Sequence, residues 1–139
     1  AISLGMKVLG VEECVYDRFV PIDEMLSEAD FITVHVPLTP NTKHLISTNE
    51  FNKMKDGVMI VDCSRGGVVD QEALYQALIS GKVRAAALDV FEEEPPKNSK
   101  LLRLSNVIAT PHIGAQTKEA QLKASIQIAK KVIDALEKP

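Results

Sequence analysis

The sequence predicts an α/β fold, a doubly wound parallel sheet, from three observations. First, five short runs, at 6–11, 31–36, 58–63, 85–90 and 107–110, are rich in Val, Ile and Leu. Continuous apolar runs of this length read as strands covered on both faces, the habit of parallel sheets. Second, helical patterns stand between the runs, and strands alternating with helices imply right-handed crossover units. Third, three polar stretches follow the last three strands, Ser64-Arg65-Gly66-Gly67, Asp89 to Pro95 and Pro111-His112-Ile113-Gly114. Ligands of open parallel sheets bind at those carboxyl ends.

Each element has its own local reason. Ala1 to Gly10 reads as the tail of a helix running into a strand at Met6 to Val11. Pro21 opens a short helix through Ile22 and Leu26, because proline presets the first helical turn. Ser47-Thr48-Asn49-Glu50 is a capping box that starts the next helix, serine and glutamate each satisfying a backbone N–H of the first turn. Asp70 caps a third helix through Ala73, Leu74, Ala77 and Leu78, which stops at Gly81. From Thr117 to Leu136, Ala120, Ala124, Ile128 and Val132 form a stripe widened by Ile126, Ala129, Ile133 and Leu136. That predicts an amphipathic helix of about 20 residues, near 30 Å long, more than one small sheet layer requires. The densest turn region is Glu92 to Ser99, with Pro95-Pro96 and Asn98.

Composition excludes several classes. The chain has 139 residues, 45% of them hydrophobic, enough for one ordinary core and short for two domains. A formal charge of -3, with Lys and Arg scattered, offers no basic patch for nucleic acid. Cys14 and Cys63 lack the spacing of a zinc site or a disulfide framework, so no metal is expected and a reducing, cytoplasmic setting fits. No apolar run nears the roughly 18 to 20 residues that cross a bilayer, so no membrane is expected as partner.

Arginine, carboxylate and histidine at neighbouring strand ends are the groups needed to grip a carboxylate and move a proton. Arg65 carries a planar fork of donors that matches a carboxylate, and Gly66 and Gly67 let a ligand approach without a Cβ in the way. His112 exchanges a proton near neutral pH when an acidic group orients its ring. Glu92, Glu93, Glu94 and Asp89 are all candidates for that group, and spacing does not choose among them. Asp89 ends the most apolar strand, where a carboxylate is costly without donors. A cofactor amide or a neighbouring loop supplies them. His35, at the end of another strand, is a structural or cofactor-lining residue, and Cys63 reads as a small apolar packer. None of the seven glycines forms the Gly-x-Gly-x-x-Gly turn that cradles a pyrophosphate. The expectation is that the chain begins just downstream of such a loop.

Four ordered stretches resemble one family, the D-isomer-specific 2-hydroxyacid dehydrogenases. They are Asp30 to Pro40, Val61 to Asp70, Ala87 to Phe91 continued by Glu94-Pro95, and Pro111 to Thr117. The resemblance implies a Rossmann-like NAD-binding domain, of which residues 1–139 are the C-terminal larger part without its glycine-rich βα unit. The long helix, 117–137, then returns to a substrate domain. By the same resemblance Arg65 binds the substrate carboxylate, His112 is the general acid/base at the C2 oxygen, and Glu94 is its partner. His35, Val36, Pro37, Cys63, Ser64, Arg65, Asp89, His112, Gly114 and Ala115 line the NAD site. Glu12 takes the acidic place on the adenosine ribose and favours NAD over NADP by repelling a 2′-phosphate.

Two departures from the family pattern stand out. Only Glu13 to Arg18 lie where a helix of about a dozen residues normally follows the acidic position. The substrate domain is represented by the long helix alone. The activity implied is NAD-dependent oxidation of a D-2-hydroxy acid, with 3-phosphoglycerate in serine biosynthesis foremost, and glycerate/hydroxypyruvate or D-lactate as alternatives. A non-catalytic NAD-binding corepressor-like module is the competing class. Exposed apolar helix faces lead us to expect a homo-oligomer, a dimer or larger.

Overall fold

A computed structural model describes residues 1–11 and 19–137. The expectations at Glu12, for a missing helix across Glu13 to Arg18, and any role for Cys14 lie outside the described residues. The regular elements are α1 (Ile22–Glu28), β1 (Phe31–Val34), α2 (Thr48–Lys53), β2 (Val58–Asp62), α3 (Gln71–Ile79), β3 (Val83–Leu88), β4 (Val107–Ala109) and α4 (Lys118–Leu136), with single 3-10 turns at Ile2–Leu4 and Leu101–Arg103. The four strands form one sheet in the order β1-β2-β3-β4, and all pairs are parallel. The α/β class is therefore as the sequence predicts.

The caps act where the sequence places them. Ser47 N donates to Glu50 at 3.0 Å, and the reciprocal box is complete. Asp70 accepts from the amides of Glu72 and Ala73 at 3.1 and 3.0 Å. Capping of this kind contributes on the order of 1 kcal/mol per helix. Leu26 of α1, Phe51 of α2 and Leu74, Ala77 and Leu78 of α3 join Ile32, Val58, Ile60, Val83, Ala86 and Leu88 in one core. Full burial of side chains such as Leu26, Ile60 and Leu74 contributes about 1.5–3 kcal/mol each.

Three expectations are corrected. The run from Met6 to Val11 is not a strand: among the described residues its one ladder contact is an isolated bridge between Gly10 and Phe19, and Met6 and Val11 stay exposed. An apolar run becomes a strand only where a neighbour supplies a ladder and cover. Upstream, the expected helix tail is only the turn Ile2–Leu4, ended by Gly5. Third, the strands are covered on one face among the described residues. Ile32, Ile60 and Ala86 lie in register and are buried, whereas Thr33, Val61, Ala87 and Ile108 lie in register on the opposite face and remain exposed or half-buried. The cause is that α1, α2 and α3 all contribute to a single core. The long helix α4 forms, with Thr117 capping Ala120 N at 3.1 Å, but none of its residues is buried.

Candidate active site

Arg65, Glu94 and His112 line one open cleft of ≈ 500 Å³, together with Pro37, Leu38, Gly66, Phe91 and Glu92. Parallel pairing makes this convergence inevitable once the sheet forms, because the loops after β2, β3 and β4 all leave the same edge. A second cleft, of ≈ 520 Å³, lies across the His112 and Glu94 pair and is walled by Pro95, Pro96, Leu102 and Pro111.

His112 Nδ1 lies 2.8 Å from Glu94 Oε2. Glu94 is in turn held by the amide of Phe91, which donates to Oε1 at 3.0 Å. The hydrogen bond from His112, then the Phe91 amide, holds the Glu94 carboxyl below its ordinary range. An ionised carboxylate only accepts, so Nδ1 carries a proton, and in the neutral ring Nε2 is then the nitrogen with a lone pair for a ligand. The other acids go elsewhere. Glu92 accepts from Gln71 N at 3.3 Å and stands 3.7 Å from His44, and Glu93 stands 3.7 Å from Lys97. Geometry thus separates four carboxylates that spacing left equal.

Asp89 is buried, and its donors come from the protein itself. Thr110 Oγ1 and Ile113 N donate to Oδ1 at 2.5 and 2.8 Å, and Gly114 N donates to Oδ2 at 2.7 Å. Burial pushes its carboxyl up, yet these three bonds and the nearby His112 outweigh burial and leave it below the usual value. The clamp has a backbone purpose. His112 has φ 54°, a left-handed conformation that costs a non-glycine residue on the order of 1 kcal/mol or more. Hydrogen bonds to a charged acceptor contribute about 1.5–3 kcal/mol each, so three of them override that cost. Gly114 admits the clamp, since a Cβ there would stand 2.9 Å from Asp89 Oδ2.

Arg65 is exposed and donates through Nη1 to the Ser64 carbonyl at 2.7 Å, which leaves other guanidinium donors for a ligand. The turn behind it is tight: a Cβ on Gly66 would lie 1.9 Å from the Phe91 carbonyl oxygen. Ser64, expected at the cofactor, is buried instead: its hydroxyl and its backbone N–H both donate to Asp62, and its carbonyl accepts from Arg65. His35, Val36 and Pro37 follow β1, with His35 Nε2 2.7 Å from Thr33 Oγ1. Cys63 follows β2 half-buried, and burial first, then Asp89 and Asp62, pushes its thiol up, as befits a packing residue. Gly114 and Ala115 are exposed beyond His112. The expected cofactor residues of the described chain therefore share the carboxyl edge of the sheet. Among the described residues no cluster of His, Cys, Asp and Glu could hold a metal ion, and no helix is long and apolar enough to cross a membrane.

Sequence reasoning missed Asp62, Thr110 and the Phe91 amide. The Asp-x-Ser spacing of Asp62 and Ser64 is a recognisable turn signal, since aspartate commonly bonds its own backbone two residues on. Nothing local marks Thr110, whose partner is 21 positions away.

Comparison with known proteins identifies the family and the fold. Residues 1–114 match the family described as D-isomer specific 2-hydroxyacid dehydrogenase, NAD binding domain. A hydroxypyruvate reductase from Thermotoga maritima is 47% identical, over 98% of this chain and 47% of its own length. A D-3-phosphoglycerate dehydrogenase from Methanocaldococcus jannaschii is 48% identical, over 94% of this chain and 26% of its own. The chain thus spans about half of the one relative and a quarter of the other. In three dimensions a glyoxylate reductase from Paecilomyes thermophila superposes with a TM-score of 0.77 at 39% identity, covering 87% of this chain and 37% of that one. The chain belongs to the D-isomer-specific 2-hydroxyacid dehydrogenases and carries sequence of their NAD-binding domain.

Proposed function

We propose that this chain supplies the NAD site and the proton-transfer groups of an enzyme that oxidises a D-2-hydroxy acid. The observation that carries the reading is the pair of His112 and Glu94 facing Arg65 across one cleft. It also favours catalysis over a corepressor-like binding module. Arg65 grips the substrate carboxylate and fixes which face of C2 is presented. His112 Nε2 takes the C2 hydroxyl proton, and Glu94 stabilises the imidazolium that forms. NAD, when bound, would supply the hydride acceptor for C2. The residues that would hold it are His35, Val36, Pro37, Cys63, Gly114 and Ala115, with Glu12 at the ribose. The fit rests on their common edge at the carboxyl ends of the parallel strands. Asp89, its three donors already supplied by the protein, acts on the cofactor mainly through the loop it holds.

In this reading residues 1–139 are the C-terminal larger part of the NAD-binding domain, and 117–137 is the helix that returns to a substrate domain. The exposed Ile126, Ile128, Val132, Ile133 and Leu136 of α4 support that, as they support assembly into a dimer or larger homo-oligomer. We assign 3-phosphoglycerate as the substrate, an early step toward serine in the cytoplasm, on the strength of the dehydrogenase relatives. One observation favours a second reading, glycerate and hydroxypyruvate. Arg65 is the only cation lining either cleft among the described residues, and a phosphate would require others from outside them. Steady-state turnover of the whole polypeptide with NAD and 3-phosphoglycerate, D-glycerate or D-lactate tests both. Faster turnover of glycerate than of phosphoglycerate selects the second, and no turnover of any 2-hydroxy acid refutes the enzyme.

A further inference from the structure

Asp62 is the last residue of the central strand β2, paired in register with Val34 and Leu88, and only 4% of its surface is exposed. A carboxylate in that position is costly unless it has donors. No lysine or arginine among the described residues forms an ion pair with it. Its donors are both from Ser64, the backbone N–H at 3.0 Å and the hydroxyl at 2.5 Å, and both go to Oδ1. These bonds bend the chain out of the strand within two residues and bury Ser64 to 1% exposure. The Ser64 carbonyl is thereby fixed, and it receives Arg65 Nη1 at 2.7 Å. That is the one hydrogen bond of the described structure that holds the guanidinium.

We infer that Asp62 is the positioning residue for Arg65, acting through Ser64 to set where the guanidinium meets a substrate carboxylate. The inference rests on the carboxylate-binding role proposed for Arg65. A long, exposed arginine otherwise samples many rotamers, and ordering it on binding costs affinity. The relay Asp62 to Ser64 to Arg65 removes most of that freedom beforehand. The cost is accepted at Asp62 itself: burial pushes its carboxyl up, more than the two Ser64 bonds and nearby His35 draw it down.

The relay needs an acceptor at Oδ1 and not a charge, which separates it from a purely electrostatic role. Binding of oxamate to the whole polypeptide saturated with NADH is measured by calorimetry, and NADH binding by fluorescence. Asp62→Ala should weaken oxamate about tenfold or more while NADH affinity stays within about twofold. Asp62→Asn, whose amide oxygen still accepts both Ser64 donors, should remain within about threefold of the parent. Unchanged oxamate binding in Asp62→Ala, or equal weakening of oxamate and NADH, overturns the inference. If Asp62→Ala does not fold, Ser64→Ala carries the test by deleting the hydroxyl donor alone: weaker oxamate binding supports the relay, and parental binding overturns it. Arg65→Gln is the control on the underlying reading. Parental oxamate affinity there rejects Arg65 as the carboxylate anchor, whereas impaired Arg65→Gln beside intact Asp62→Ala rejects only the relay.

Discussion

Adding a single methyl at Gly66 should do disproportionate harm. The alanine Cβ would lie 1.9 Å from the Phe91 carbonyl oxygen, 2.4 Å from its carbon and 2.8 Å from Glu92 N. Real Cβ contacts essentially never fall below 3.0 Å, so the two loops must separate by about 1.1 Å, and all three obstructing atoms are backbone. One loop carries Arg65. The other begins with the Phe91 amide that holds Glu94, the partner of His112. Overpacking of this kind costs about 1–3 kcal/mol. For a chain of this size each kcal/mol lowers the melting temperature by roughly 4 °C. A displacement near 1 Å in a reacting constellation costs on the order of a hundredfold in turnover. Thermal melting by circular dichroism and kcat/KM on the same Gly66→Ala preparation measure both. An unchanged melting temperature with parental kcat/KM would show that the loops do not pack as described, and the convergence of Arg65 with Glu94 would lose its support.

Further predictions follow from the same geometry. His112→Ala should lower kcat by about a hundredfold or more with little loss of NAD affinity, and equal losses in both would refute proton transfer as its role. Arg65→Lys replaces a planar fork with a point charge and should raise KM for the hydroxy acid as well as lower kcat; unchanged steady-state kinetics counts against the carboxylate grip. The Glu94 carboxyl is depressed by the His112 hydrogen bond and then by the Phe91 amide, so its contribution to stability is complete above the ordinary value of 4.5 and is lost as pH falls through the lower folded value. Glu94→Gln should therefore flatten the acid limb of stability against pH in that window, and parallel curves for parent and variant would show that the pairing adds no pH dependence.

Much of the fold was legible because its determinants are local. The runs that became β1 to β4 carry their apolar pattern in four to six consecutive residues, and the Ser47 and Asp70 caps act within three. Met6 to Val11 has the same composition and failed as a strand, because a ladder is a property of two segments and composition describes one. Covering of the sheet was misjudged for a related reason. Apolar strands are compatible with two covered faces, but where the helices lie decides which face is buried.

The site divides along the same line. Residue types and their order along the chain determined that a guanidinium, an imidazole and several carboxylates would arrive at one sheet edge, since parallel strands leave their loops together. Only the tertiary structure decided which carboxylate meets His112 and why Asp89 is spent on Thr110, Ile113 and Gly114. Hydrogen bonds depend on positions to within a few tenths of an ångström, and groups some twenty residues apart acquire such positions only when the sheet assembles.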